Sequence, residues 1–411
     1  MSGISLQALD ELLVSREFME DPYPILRRLR EEDPVHWSDS IGAWILTRYD
    51  DIVVTFKDVA HFSNEGRLAR TVEYLPPESR ARFQGIEAHY RQKSLIHSDP
   101  PDHTRLRGLV TKAFTPRVVE AMRPRIQAIT DELLDAVRPR RRMEVVKDLA
   151  IPLPVTVLAE IFGVPKPDLP LFKGWADDLL AFQGVNKPAI ELLERSQTAL
   201  LEIRSYLSEL IQRKRREPLP DLLSELAAAE AEGGRLSETE LVSSSITLLV
   251  AGHETTTSLI GNGLYALLSH PEEWQTLRRE PSLLVSAIEE MLRYESPVAR
   301  QPRLLKRDVE LGGKQLREEQ MLFQMLNAAN RDPDYFREPD RFNIRREKNP
   351  HLAFGLGAHF CVGATLARTE GWIVFSTLMA RLPELRLVDE KPHWDLQKPN
   401  SRMMKSLYVD F

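Results

Sequence analysis

The residue best suited to chemistry in this 411-residue chain is Cys361, the only cysteine in the sequence. It lies in the segment 354–363, FGLGAHFCVG, which leads directly into a pattern typical of a helix. Gly355, Gly357 and Gly363 allow backbone angles and close approaches that a β-carbon forbids, so the segment can pass close to a flat cofactor. A helix that begins directly after the cysteine directs free N–H groups and its positive dipole end towards the sulfur, which favours the thiolate.

The chemistry open to a lone thiolate is limited. Zinc and iron–sulfur clusters need several soft ligands, whereas haem iron can be held by one cysteine thiolate, which pushes electron density onto the iron and favours O–O cleavage. The alternative is a buried structural cysteine, the commonest fate of a single cysteine in a reducing environment. The glycine-rich setting of Cys361 favours the haem ligand.

The segment 354–363 meets every fixed position of Phe-Gly-x-Gly-x-x-x-Cys-x-Gly, and in this the chain resembles the cytochrome P450 family, whose haem-binding motif has that form. Further matches follow in the family order over essentially the whole length. The resemblance implies a mainly α protein with small β regions, in which one large helical domain, residues 1–411, encloses haem b. It also implies Cys361 as the axial ligand, Phe354 packed near the sulfur, and Gly355 and Gly363 against the cofactor.

A second motif lies within a long proline-free helical pattern that begins with a capping box at Ser237–Glu240 and ends at His270. The family that the chain resembles has Ala/Gly-Gly-x-Asp/Glu-Thr-Thr here, which places Ala251 against the cofactor and makes Glu254 and Thr255 the catalytic acid–alcohol pair. Cleavage of O₂ consumes protons, and a hydroxyl can hold water while a carboxylate connects the site to solvent. The alternative for a mid-helix threonine is a bond to a carbonyl one turn earlier.

A third motif, Glu-x-x-Arg, is met by Glu290 and Arg293, whose spacing places both charges on one helix face. In the resembling family an arginine from a later segment completes an ion triad, and Arg341 matches it, with a planar fork suited to a bidentate carboxylate contact. We expect this triad to brace the loop that carries Cys361, and we expect the neighbouring Glu289 to face solvent.

Haem carries two propionates, which need cationic or hydrogen-bonding partners when they are buried. His103 and Arg107 are spaced i, i+4 and so share one face of a predicted helix. The resemblance implies that these two bind the propionates together with Arg303 and with His359, two residues before the cysteine. Each alone would more often be a surface charge, but the set in family order favours ligands.

The resemblance also implies where the substrate binds: in segments near 64–94 and 172–187 and beside the residues after 295–297. These regions are predicted to form an apolar lining. The residues expected in it are Leu179, Phe182, Ala251, Val298 and Ala299. Macrolide, terpenoid, steroid, fatty acid and peptide-derived substrates are all compatible with such a lining.

Helical periodicity dominates the chain, and strand patterns are short. The predicted helices are 118–137, 189–214, 238–269, 282–294 and 363–382, and the predicted strands are 35–37, 43–47, 304–311 and 407–411. No linker or repeat divides the chain. The sequence therefore predicts a large helical body with a small β region.

The composition excludes several classes of protein. With 55 basic and 61 acidic residues the net charge is −6, which gives no sign of a nucleic-acid surface. One cysteine excludes an internal disulfide, and neither a signal-peptide pattern nor an apolar run long enough to span a membrane is present. These features predict a cytoplasmic protein without a membrane anchor, and we expect a monomer.

The function implied by the resemblance is that of an oxidoreductase, a haem-iron monooxygenase. It would insert one atom of O₂ into a small apolar organic substrate, by hydroxylation or epoxidation, in secondary metabolism or catabolism. A separate ferredoxin and ferredoxin reductase would supply electrons, docking near Arg105, Arg107, Lys112 and Arg368. The alternatives are a peroxide-driven haem-thiolate enzyme and a non-catalytic haem-thiolate sensor.

Overall fold

The computed structural model describes residues 4–182, 185, 187–231 and 236–411, so small parts of the predicted domain 1–411 lie outside the described residues. The chain forms two compact units, and neither is a continuous segment. The first comprises the residues up to His61, Met122–Pro154 and Glu254–Phe411, and the second comprises Phe62–Ala121 and Val155–His253. The single-domain organisation stays a prediction.

The described helices vary from one turn to eight turns. They are α1 (Leu6–Leu12), α2 (Arg16–Glu20), α3 (Tyr23–Glu32), α4 (Tyr49–Lys57), α5 (Pro77–Arg80), α6 (Gln84–Arg91), α7 (Asp102–Ala113), α8 (Pro116–Val137), α9 (Pro152–Ile161), α10 (Leu169–Leu180), α11 (Ile190–Arg216), α12 (Leu222–Ala231), α13 (Glu238–Leu268), α14 (Pro271–Arg279), α15 (Leu284–Tyr294), α16 (Leu326–Ala329) and α17 (Ala364–Arg381). Within α8, α9 and α13 the chain passes from one unit to the other, so no linker marks these crossings.

The described strands are short, and all but β3 belong to the first unit. They are β1 (Val35–Ser38), β2 (Ala43–Leu46), β3 (Phe62–Ser63), β4 (Arg142–Glu144), β5 (Arg300–Leu305), β6 (Val309–Leu311), β7 (Lys314–Leu316), β8 (Met321–Met325), β9 (Arg386–Leu387), β10 (His393–Trp394), β11 (Met404–Ser406) and β12 (Tyr408–Asp410). In the first unit β1, β2, β8 and β5 form one sheet, with β2 parallel to β8 and the other pairs antiparallel. Strands β4, β12 and β9 form a second sheet, and β6–β7 and β10–β11 are antiparallel pairs.

This architecture confirms the predicted fold class, mainly α with small β regions. The five predicted helices correspond to α8, α11, α13, α15 and α17 within a few residues. The predicted strand 304–311 is two strands, because β5 ends at Leu305 and β6 begins at Val309. No helix in the described part of the chain has the combined length and apolarity that crossing a bilayer requires.

The long helix α13 begins as the sequence predicts. Ser237 Oγ accepts a hydrogen bond from the Glu240 amide at 3.2 Å, and Glu240 Oε2 accepts one from the Ser237 amide at 2.9 Å. Both residues thus satisfy end-of-helix donors, and the helix continues for 31 residues, about 46 Å. Gly252 in its middle has a packing reason, since a β-carbon there would lie 2.7 Å from Leu158 Cδ1.

Three helices of the first unit pack closely and position the candidate site. A β-carbon on Gly263 of α13 would lie 2.7 Å from Met291 Sδ of α15 and 2.9 Å from Phe375 Cζ of α17. A β-carbon on Gly371 of α17 would likewise lie 3.4 Å from Leu259 Cδ2 of α13. These glycines let the backbones approach, so the start of α17 is fixed relative to the later part of α13.

Candidate active site

The loop before α17 is shaped by two glycines in the left-handed region. Gly355 has φ of 68° and Gly357 has φ of 72°, angles that side-chain-bearing residues rarely adopt. A β-carbon on Gly357 would lie 3.0 Å from the carbonyl oxygen of Phe56. The loop closes where the Cys361 amide donates to the carbonyl of Phe354 at 2.9 Å. The thiol of Cys361 is exposed, so the alternative of a buried structural cysteine is wrong.

The segment around the thiol carries two phenylalanine rings. Phe354 is half-buried, and its ring lies 6.2 Å from that of Phe360, which is 40% exposed. Gly363 is the N-cap of α17, and a β-carbon there would lie 3.9 Å from Cys361 Sγ. The sulfur is therefore exposed close to the N-terminus of a helix.

The brace behind this loop contains the predicted ion pair but a different third member. Arg293 and Glu290, both with fully buried side chains, make two hydrogen bonds of 2.8 Å. The prediction for Arg341 is wrong, because its guanidinium is 61% exposed and lies 3.6 Å from Glu338. Arg346 takes its place, donating from Nε to Glu290 Oε2 at 3.0 Å. Arg341 contributes only its backbone carbonyl, which accepts from Arg293 at 3.0 Å.

Glu289 is not the solvent-facing residue that the sequence indicated. Its two oxygens accept from Arg368 of α17 at 2.7 Å each, and Oε2 also lies 3.1 Å from His351 Nε2. Burial opposes its ionisation, but the hydrogen bonds from Arg368 and His351 outweigh burial and lower the pKa of Glu289 to about 2. The Arg368 guanidinium lies 4.4 Å over the ring of Phe354, so this cluster joins α15, the cysteine loop and α17.

One face of α13 is more exposed than the others around residues 251–255. Ala251 is exposed and Thr255, one turn later, is half-buried, whereas the residues on either side of Thr255 are buried. Glu254 is 6% exposed, and its Oε1 lies 3.0 Å from Nζ of Lys398. Thr257 donates to the carbonyl of Ala150 at 2.8 Å, so this later threonine has a packing role. Ala251 and Thr255 thus lie on the open face of the helix.

The predicted propionate ligands fall in both units. In the second unit His103 is buried and Arg107 follows one turn later on α7. Burial lowers the pKa of His103, the positive charge of Arg107 lowers it further, and Asp99 partly offsets both. A negatively charged group beside this pair would therefore be stabilised.

In the first unit the two other predicted ligands lie close to one phenylalanine. Arg303 is buried, with its guanidinium 5.3 Å from the centre of the Phe56 ring. His359 is half-buried in the one-turn 3₁₀ helix that begins at Gly357, and a β-carbon on Gly357 would lie 3.0 Å from the carbonyl oxygen of Phe56. Phe56 was not singled out in the sequence, because a phenylalanine in an amphipathic helix is typically a core residue.

The predicted substrate lining is only partly available. Val298 is half-buried and forms a β-bridge with Ser401, and Ala299 is 8% exposed. Leu179 and Phe182 are 2% and 0% exposed, so they pack in the core of the second unit and the prediction that they line an open cavity is wrong. Phe182 instead contacts the ring of Tyr90 at 5.8 Å. Residues 183, 184 and 186 of the predicted segment lie outside the described residues.

The residues present fit a haem. Among the residues that the structure describes, no three His, Cys, Asp or Glu side chains group as a site for a metal ion. A lone exposed thiol at a helix N-terminus suits a cofactor that brings its remaining metal ligands itself. In the first unit the glycine-shaped loop suits a flat cofactor and the buried Arg303 suits a negative charge on it. In the second unit His103 and Arg107 likewise suit a negative charge.

Comparison with known proteins gives the same assignment. The family model "Cytochrome P450" matches residues 171–406. The cytochrome P450 monooxygenase PikC of Streptomyces venezuelae is 42% identical over 410 residues, which cover 98% of this chain and 94% of that protein. The vitamin D(3) 25-hydroxylase of Pseudonocardia autotrophica is 40% identical over 381 residues, covering 91% and 90%.

A solved structure extends the match to the fold. P450BioI in complex with an acyl carrier protein ligated with hexadec-9Z-enoic acid superposes with a TM-score of 0.88 at 36% identity, covering 97% of this chain and all of that one. Since these matches span nearly the whole chain and include the glycine-framed cysteine, the chain belongs to the cytochrome P450 family, haem-thiolate monooxygenases that transfer one oxygen atom from O₂ to small organic substrates.

Proposed function

We propose that Cys361 is the thiolate ligand of the haem iron and that Glu254 and Thr255 supply the protons for oxygen cleavage. The observation that carries the proposal is the exposed Sγ of the only cysteine, held by the left-handed Gly355 and Gly357 at the N-terminus of α17. Free N–H groups at that terminus stabilise the thiolate. A thiol exposed in this way is accessible to a metal ion.

Bound haem supplies the redox chemistry through which one oxygen atom of O₂ enters a C–H or C=C bond. The overall reaction of a hydroxylation consumes one O₂, two electrons and two protons, and it releases one water with the hydroxylated product. The chain itself must therefore deliver two protons to a site that otherwise excludes water.

The surroundings of Thr255 and Glu254 support this role. Thr255 is half-buried on the open face of α13, where its hydroxyl can hold a water molecule by donating and accepting hydrogen bonds. Glu254 precedes it, is nearly buried, and is ion-paired with Lys398. Its carboxylate can accept a proton from solvent and pass it towards the water held by Thr255.

The cationic residues have a separate role in binding. We assign His103, Arg107, Arg303 and His359 to the two propionates. A propionate beside His103 would reverse the effect of Arg107, whose charge lowers the pKa of that imidazole. Phe56 contacts Arg303 and lies beside Gly357, so its packing would hold Arg303 and the loop that carries His359 in place.

The substrate in this proposal is a small apolar organic molecule. Ala251, Val298 and Ala299 are the described residues that would contact it, and none carries a charge. The names of the relatives support this class, since one acts on vitamin D₃ and another binds a fatty acyl chain. Peroxide in place of O₂ would make the proton-supplying pair Glu254 and Thr255 less necessary.

Electrons come from a separate ferredoxin and its reductase in this proposal, and the protein works as a cytoplasmic monomer. The basic docking surface is smaller than the sequence indicated. Arg368 is neutralised by Glu289, and Arg105 pairs with Glu240 and Asp102. Lys112, exposed near the end of α7, is the charge best placed to meet an acidic partner.

The test compares Thr255→Ala with the matched variant Thr256→Ala, because the side chain of Thr256 is buried. Both variants should fold and bind haem, because losing one hydroxyl costs about 1 kcal/mol. Thr255→Ala should divert electrons from product to hydrogen peroxide, while Thr256→Ala should keep the wild-type ratio of product to electrons. An unchanged ratio in Thr255→Ala, or an equal loss in both, would remove Thr255 from the proton path.

A further inference from the structure

The acid of the proton path is held by a residue from the far end of the chain. Nζ of Lys398 lies 3.0 Å from Oε1 of Glu254, and the two side chains are only 14% and 7% exposed. Oε1 accepts no hydrogen bond of good geometry from the described residues. Charge attraction, and not a directional hydrogen bond, therefore holds Glu254 Oε1 in place.

The lysine is presented by a well-fixed segment, which we call the 398–402 turn. The Ser401 amide donates to the Lys398 carbonyl at 3.1 Å and closes the turn. Asn262, eight residues after Glu254 on α13, donates from Nδ2 to the carbonyl of Arg402 at 2.6 Å. The helix that carries the acid and the turn that carries the lysine are thus tied together at a second point.

The other side of the 398–402 turn is tied to the segment that is expected to contact substrate. The Ala299 amide donates to the carbonyl of Asn400 at 2.9 Å, and Arg300 Nε donates to Asn400 Oδ1 at 3.0 Å. Val298 forms a β-bridge with Ser401. The 398–402 turn therefore contacts both the proton-supplying helix and the proposed substrate wall.

We propose that Lys398 is a positioning residue for proton delivery: its ammonium holds the carboxylate of Glu254 in place until Glu254 takes up a proton. This inference rests on the proposed role of Glu254. Without that ammonium the nearly buried carboxylate would have no counter-charge, and burial of an unpaired carboxylate favours the neutral acid. Lys398 from the turn lies at ion-pair distance from Glu254, and the adjacent titratable residue on α13 is His253.

The proton step is balanced and needs no additional reactant. A solvent proton binds to a carboxylate oxygen of Glu254, which weakens the attraction to Lys398 because the acid is then neutral. The proton passes to the water held at Thr255, and Glu254 returns to the carboxylate and to its ion pair with Lys398. No electron is exchanged, and the charge of the Glu254–Lys398 pair is the same before and after.

The test uses the haem-loaded protein and infrared difference spectroscopy at neutral pH. K398M should show the C=O stretch of a protonated carboxylic acid that is absent from the wild type, and the double variant E254Q/K398M should lose that band. K398R, which retains the charge, should lack the band as the wild type does. K398Q, which replaces the ammonium with a neutral amide, serves as a second charge-removing variant if K398M does not load haem.

A second readout is the yield of product per electron. K398M should lose yield to hydrogen peroxide with unchanged substrate affinity, and K398R should recover it. If K398M and K398Q show no protonated acid beyond those of the wild type, or if K398R behaves like K398M in both readouts, Lys398 does not control Glu254 and the proposal is overturned. That failure is distinct from a failure of the proposed function, which Thr255→Ala decides.

Discussion

Replacing Arg293 with alanine should be among the most damaging single changes in the first unit. Its guanidinium is completely buried and makes two bonds of 2.8 Å to Glu290. It also donates to three backbone carbonyls, those of Asn330 at 2.9 Å, Pro339 at 2.7 Å and Arg341 at 3.0 Å. All these acceptors lose a donor in the variant, and the cavity is too well enclosed for water to replace it freely.

The magnitude follows from the buried charge. Removing one partner of a buried ion pair costs about 3 to 5 kcal/mol, and each carbonyl left without a donor adds to that cost. Glu290 keeps hydrogen bonds from Arg346, Asn343 and Asn349, which limits the total. We therefore expect a loss of about 4 to 5 kcal/mol, a large share of the roughly 5 to 15 kcal/mol that stabilises a folded protein.

The assay is the urea midpoint of the purified variants together with their haem content. Arg346→Ala should fall between Arg293→Ala and the wild type, at about 1 to 3 kcal/mol, because it removes one bond to Glu290. Arg341→Ala is the matched control and should stay within about 0.5 kcal/mol, since its side chain is exposed. A damaging Arg341→Ala, or an Arg293→Ala variant with normal haem content and midpoint, would refute this account of the brace.

Three further outcomes can be measured. Cys361→Ser should lose the ferrous–CO absorption band typical of thiolate ligation, because a neutral hydroxyl is a poor donor to haem iron; a retained band would exclude Cys361 as the ligand. Burial raises the pKa of Glu370 to about 8 from its ordinary 4.5, so the fold binds a proton that the unfolded chain releases in that interval. As the pH rises from 4.5 to about 8, the free energy of unfolding of the wild type should accordingly fall by about 1.4 kcal/mol per pH unit relative to that of Glu370→Gln. A difference between the two proteins that does not depend on pH would mean that Glu370 is ionised in the fold. Reduction by an acidic ferredoxin should slow with added salt and slow further in Lys112→Glu with substrate binding intact, and a rate indifferent to both would mean that the donor docks elsewhere.

The local features of this protein were determined by its sequence. The capping box of α13, the extent of the long helices and the glycine-framed cysteine each depend on residues within a few positions of one another. The same holds for the pairing of Glu290 with Arg293, which needs only one helical turn. Fold class and family follow from patterns of this kind, because hydrophobic periodicity and motif spacing are properties of the chain itself.

Only the tertiary structure decided which distant side chains meet. Arg341 and Arg346 have the same chemistry and lie five residues apart, and the path of the backbone between them selects Arg346 for Glu290. Glu254 finds Lys398 far along the chain because the 398–402 turn packs against α13, a contact that no local spacing encodes.

Burial was also decided at this level. Leu179 and Phe182 have the apolar character of a pocket lining, but their side chains are buried. Glu289 is adjacent in sequence to the buried Glu290, yet it points to Arg368 and His351. The local sequence does not decide whether an apolar or charged residue lies in the core, on the surface or in a functional site. That depends on which groups the folded chain brings within a few ångströms of it.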